Sequence, residues 1–106
     1  MADDRLLSPD LEAELLAPDA DGGTLHTMSV ALATFSSAEV GLWEAGLGKD
    51  ADTEVDEIFV VLAGAGTVTF ADESTLRLRP GVAVRLYAGD KTRWNVTHRL
   101  RKLYLA

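Results

Sequence analysis

From Leu25 to the end of the chain, short runs rich in Val, Leu, Thr and aromatic residues alternate with clusters of turn residues. The runs span residues 25–34, 39–45, 55–63, 67–71, 75–79, 82–87 and 98–105. Between them lie Ser36-Ser37, Gly46 to Asp52, Gly64-Ala65-Gly66, Asp72-Glu73-Ser74, Pro80-Gly81 and Ala88-Gly89-Asp90. Each run reads as a strand and each cluster as a turn, Gly64-Ala65-Gly66 as a hairpin. No long helical period separates them, so neither a helix bundle nor a parallel βαβ sheet is available. An antiparallel sandwich or barrel is predicted. Val82, Val84 and Leu86 alternate with Ala83, Arg85 and Tyr87, as a half-buried strand requires. Ile58 to Ala63 is apolar on both faces. One face can line a barrel, and the other must be covered by a second sheet, an N-terminal arm or another subunit.

The segment before Gly23 has a different texture. Ser8-Pro9-Asp10 reads as a helix start, with Ser at the N-cap and Pro at the first helical position. Leu11, Leu15 and Leu16 give a short apolar stripe, ended by Pro18 and the cluster from Asp19 to Gly23. Residues 1–23 are thus expected to be a short helical or irregular arm, and residues 24–106 the β-domain.

At 106 residues there is room for one small domain. The longest uncharged apolar run, Ile58 to Ala65, has eight residues, against roughly 20 for a membrane span. No basic stretch precedes an apolar one as in a secretory signal. With no cysteine, disulfide frameworks, thiolate metal sites and cysteine nucleophiles are excluded, which fits a cytoplasmic setting. The formal net charge of −7 argues against a nucleic-acid partner. Residues 1–21 and 39–57 carry seven acids each, while eight of the ten Lys and Arg fall between Arg77 and Lys102. Cross-strand pairing and a solvated face account for that asymmetry; a basic rim for an anionic ligand is the functional alternative.

The central block carries more. Glu57 is followed after six residues by Gly64, then by Gly66 and a Thr-Val-Thr-Phe strand; Gly81, Tyr87, Gly89 and Thr92 come after it. This resembles the two motifs of the cupin superfamily. Gly41-Leu42-Trp43-Glu44, Leu47-Gly48, Asp56-Glu57, the stretch from Gly89 to Trp94 and the terminal Arg101-Lys102-Leu103-Tyr104 resemble the subgroup that holds ureidoglycine aminohydrolase and the ethanolamine-utilisation cupins. The resemblance covers about residues 38–106. It implies an all-β fold, a small double-stranded β-helix (jelly-roll) barrel, a homodimer, and either small-molecule binding or chemistry on a small nitrogenous or carboxylated metabolite; a structural or regulatory dimer with its pocket filled by its own side chains is the third alternative. Metal-binding cupins place histidines before the Glu and in the second motif. Those positions here are Asp50, Ala51, Asp52, Thr53 and Thr92, and the two histidines, His26 and His98, fall outside both motifs. Divalent transition metals are held by imidazole, whereas carboxylates suit harder and weaker sites. No tightly held metal and no cofactor are therefore expected.

Alternation along its strand turns Glu57 inward with Phe59, Val61 and Ala63. It is the candidate catalytic residue, as a general base with a raised pKa; the alternative is a carboxylate paired with Arg or Lys from a neighbouring strand, Arg85 and Arg93 being the expected candidates. Trp43 and Trp94 are the only tryptophans and could sandwich a ligand or pack the core. Tyr87 could hydrogen-bond a ligand or cap the barrel. Thr92 can donate or accept a hydrogen bond. Arg85 and Arg93 could bind a carboxylate or form surface ion pairs. Glu57, Trp43, Trp94, Tyr87, Thr92 and Arg85 make up the predicted site, with a small molecule as the expected ligand.

Overall fold

The computed structural model describes residues 2–106. Eight strands follow in order: β1 (Ala17–Pro18), β2 (Met28–Phe35), β3 (Ala38–Ala45), β4 (Gly48–Thr53), β5 (Glu57–Phe70), β6 (Thr75–Leu78), β7 (Ala83–Leu86) and β8 (Lys91–Leu105). Every pairing is antiparallel. The fold is the all-β jelly roll that the sequence implies.

The two long strands organise it. β5 and β8 pair along most of their length. The first half of β5 also pairs with β7, and its second half with β6. The first half of β8 pairs with β4 and its second half with β3, which continues through β2 to β1. One bent ribbon therefore serves both walls of the barrel. Its bend lies where the register slips between Val61 and Gly66. Gly64 has φ 93°, and a Cβ there would lie 2.0 Å from the Arg99 carbonyl oxygen. At Gly66 a Cβ would lie 2.4 Å from that of Asn95. Glycine lets the crossing backbones approach this closely.

This corrects the reading of Gly64-Ala65-Gly66 as a hairpin: the glycines mark a bend inside one strand, and runs 55–63 and 67–71 are continuous. Residues 48–52, expected to be part of a turn, form β4 with Thr53 against the first half of β8. β8 itself starts at Lys91, well before the run at 98–105. Both were masked by polar residues at exposed positions. The turns at Asp72-Glu73-Ser74, Pro80-Gly81 and Ala88-Gly89-Asp90 are present, with left-handed φ at Glu73, Gly81 and Gly89.

No α-helix forms at Ser8. A 3-10 turn occupies Ala2–Arg5, Ser8 Oγ accepts the Asp10 N–H, and Asp10 Oδ1 accepts that of Glu12. These local side-chain bonds replace a helical start. The arm is instead tied to the barrel by Arg101, whose guanidinium donates to the carbonyls of Leu11, Glu12 and Glu14.

The core fills the barrel interior. Phe59, Val61, Val68, Leu78, Leu86 and Leu100 are fully buried, with Val84, Trp94 and Val96 nearly so. Burying such a side chain contributes about 1.5–3 kcal/mol. Val84 and Leu86 point in while Ala83, Arg85 and Tyr87 point out, as the alternation predicts. On β5, Phe59 and Val61 are buried while Ile58 remains 47% exposed. Among the described residues no helix is long and apolar enough to cross a membrane.

Candidate functional site

Register places the site. Ser29 on β2 pairs with Trp43 on β3, Trp43 with Lys102 on β8, and Lys102 with Val61 on β5. These four lie side by side on the inner face. One row further along stand Gly41, Tyr104 and Phe59. Gly41 leaves room for the tyrosine: a Cβ there would sit 2.5 Å from the Tyr104 hydroxyl oxygen. Glu57 follows on β5, two residues before Phe59.

Lys102 is the centre of this arrangement. Its Nζ donates to Glu57 Oε2 at 2.6 Å, and the two side chains are only 5% and 12% exposed. The ammonium also lies 4.4 Å from the ring centroid of Trp43, 4.3 Å from Phe59 and 5.1 Å from Trp94. Trp43 and Trp94 are themselves in tilted contact, 5.6 Å between centroids. A buried ammonium needs a counter-charge and polarisable neighbours; here a carboxylate and three ring faces supply both.

A pocket of about 270 Å³ opens onto this group. Its wall includes Trp43, Glu57, Trp94, Lys102 and Tyr104, with Thr27 and Ser29 from β2 and its approach, and Asp50, Asp52 and Glu54 from β4 and the loop after it. Glu54 is buried and accepts hydrogen bonds from the Thr92 hydroxyl at 2.6 Å and from Trp94 Nε1 at 3.0 Å. Its backbone holds the Gly89-Asp90 turn through two further bonds. Glu54 thereby fixes the orientation of the Trp94 indole. Tyr104 donates to Glu39 Oε2 at 2.6 Å, and burial followed by that bond and the Glu39 charge raises its pKa above the ordinary 10.0.

The structure brings Glu57, Trp43 and Trp94 to one pocket. It leaves three other predicted residues outside. Arg85 and Tyr87 stand on the outer face of β7 and just past it, because Val84 and Leu86 take the inward positions. Arg85 pairs with the exposed Asp56 and stacks over the Tyr87 ring. Thr92 is buried behind the wall, bonded to Glu54 and to the Trp94 indole. Arg93 pairs with Glu73 on the surface. The cation that reaches Glu57 is Lys102, not Arg85 or Arg93. His98 is exposed beside Thr97, and exposed His26 ends a 3-10 turn at φ 49°.

Sequence reasoning missed Lys102, Tyr104 and the polar face of β2. The signal for the first two was present: Leu100, Lys102 and Tyr104 alternate on the last strand, so a buried Leu100 turns all three inward. The donor set does not fit a divalent transition metal. Lys102 already holds the Glu57 carboxylate, Thr92 donates its hydroxyl proton to Glu54, and no group of three His, Asp or Glu able to hold an ion occurs among the described residues.

The family model of the EutQ-like cupin domain matches residues 33–104. The chain belongs to this family. Solved EutQ-like relatives share its fold. The ethanolamine utilization protein Q of Salmonella typhimurium LT2 superposes with a TM-score of 0.77 at 21% identity, covering 92% of this chain and 81% of that one. The Clostridium difficile EutQ protein gives 0.75 at 19% identity, with 92% and 83% covered. The polyketide cyclase RemF from Streptomyces resistomycificus gives 0.72 at 16% identity, with 93% and 77% covered. At these identities the likeness is one of fold. No curated protein matches the chain.

Proposed function

We propose that this EutQ-like cupin domain binds a small molecule in the pocket between Trp43, Trp94 and the Glu57–Lys102 pair. The observation that carries this reading is the pocket itself. It opens on charged and aromatic side chains held by the sheet, where Lys102, Glu57 and further carboxylates converge beside the two indoles. A cytoplasmic homodimer remains part of the reading, supported by the cysteine-free composition and by the exposed Ile58 on β5.

A second reading is an enzyme of the ureidoglycine aminohydrolase type. In its favour, Glu57 lines the pocket. Against it, Oε2 of that carboxylate already accepts a hydrogen bond from Lys102. Glu57→Gln separates the two: loss of turnover in a folded protein supports catalysis.

A thermal-shift screen of ureides, amino acids and sugars tests binding. A ligand at 100 times its Kd stabilises by about 2.7 kcal/mol. Because both tryptophans line the pocket, a hit must also change tryptophan fluorescence. A screen with no stabilising compound would count against binding.

A further inference from the structure

The ammonium of Lys102 carries three N–H donors, and the protein supplies it one oxygen acceptor, Glu57 Oε2. Ring faces of Trp43, Phe59 and Trp94 attract the charge but offer no lone pair in place of an oxygen. Lys102 is 4% exposed, and the pocket is the space it borders. A guest that brings an oxygen acceptor would complete its hydrogen bonding.

Charge decides which oxygen. Glu57 already balances Lys102, and Asp50, Asp52 and Glu54 line the same pocket. A carboxylate guest would meet these like charges at short range, and the repulsion grows as water is displaced. A neutral carbonyl meets no such opposition. The wall carboxylates can at the same time accept N–H donors from the guest, and the two indoles offer flat apolar surface to its remainder. The primary amide is the simplest group that carries a neutral oxygen acceptor and N–H donors together.

Resting on the pocket reading above, we propose that Lys102 is the donor that anchors a small neutral amide in this pocket, its N–H bonding the amide oxygen. The ammonium acts there as a fixed electropositive centre beside Glu57. Lys102 is a binding residue in this proposal; no covalent step is involved.

Three molecules built on the same four-carbon chain test it: butanamide, butanoate and butylammonium, titrated against the full chain with tryptophan fluorescence as readout. The variants are Lys102→Met and the double variant Lys102→Met with Glu57→Gln, which removes both charges and so guards against a fold lost through an unpaired carboxylate. Circular dichroism checks that each is folded. Expected is a saturable change with butanamide, tighter than with either charged analogue, and weakened at least tenfold in the folded double variant. Equal or tighter binding of butanoate or butylammonium would overturn the amide assignment while leaving the pocket reading intact. So would butanamide binding that is unchanged without Lys102. Silence of all three against the folded wild-type chain would also overturn it, and the wider screen then decides separately whether the pocket binds anything.

Discussion

Lys102 and Glu57 are 45 positions apart in sequence, on β8 and β5, yet Nζ lies 2.6 Å from Oε2 with both side chains nearly buried. Breaking one half of such a pair leaves a buried uncompensated charge, which costs about 3–5 kcal/mol, whereas neutralising both halves is often close to neutral. Lys102→Met alone should therefore destabilise strongly in urea unfolding. Adding Glu57→Gln should recover most of the loss. Equal losses in the single and double variants would show that the two charges are not coupled.

The bend in the β5–β8 ribbon makes Gly64 the least replaceable glycine on β5. Its φ of 93° alone costs an alanine about 1–3 kcal/mol. The added Cβ would also collide with the Arg99 carbonyl. Gly81 has nearly the same φ, 95°, but nothing within 4 Å of an added Cβ. Gly64→Ala should accordingly lower the melting temperature well beyond Gly81→Ala. Each kcal/mol is worth roughly 4–8 °C in a domain of about this size. Equal shifts for the two variants would mean that the close approach at Arg99 is relieved at no cost.

How far the sequence reveals this architecture depends on what each residue faces. Strands with one apolar face, such as Val82 to Leu86, announce themselves by alternation. β4 does not: Gly48 to Thr53 lies near the surface, carries Lys49, Asp50 and Asp52, and exists because β8 offers it an edge. Gly64 and Gly66 read as a turn because local sequence cannot distinguish a reversal from a crossing that needs no side chain. Within the site, Glu57 and both tryptophans are legible from motif spacing. Lys102 is signalled only by its alternation with Leu100 and Tyr104, since a lysine in a basic segment otherwise reads as solvated until Trp43 and Glu57 are seen around it. Tyr87 is drawn in by motif position and Arg85 by its capacity to bind a carboxylate, although the period-two pattern of their own strand already turns both outward.

Tyr104 sets an alkaline limit on stability. Burial, then its bond to Glu39 and the Glu39 charge, raise its pKa above the ordinary 10.0. A group whose pKa is raised on folding contributes stability fully below its unfolded value and loses it as pH rises beyond that value. Stability should thus hold up to about pH 10 with respect to this group and fall above it. In Tyr104→Phe this part of the alkaline loss is absent, so its unfolding free energy should decline less steeply above pH 10 than that of the wild type. Parallel declines would show that Tyr104 ionises as freely in the folded chain as in the unfolded one.

Arg101 fastens the N-terminal arm. Its guanidinium is held by Glu44 and donates to three arm carbonyls, while Arg99 shares the same Glu44. Since the arm has no α-helix and one two-residue strand of its own, this residue is its main polar tie to β8. Arg101→Leu should raise amide exchange across residues 8–16 while the amides of β5 and β8 stay protected. Unchanged protection in the arm would show that its apolar contacts suffice.

Ile58 is 47% exposed and pairs across strands with Leu105, itself 39% exposed, so two branched side chains stand together in water on the outer wall. An isologous contact about a two-fold axis would bury this pair twice over, and two-fold dimers are the commonest closed assembly. Sedimentation at micromolar concentration should give twice the chain mass of 11.4 kDa. Ile58→Lys should return the protein to the monomer, because the introduced charges would face one another across the axis. The barrel should tolerate the change, since Ile58 stands on the exposed face of β5, opposite the buried Phe59 and Val61. A wild-type protein sedimenting only at 11.4 kDa would remove the dimer, and a dimer unaffected by Ile58→Lys would move its interface to another face.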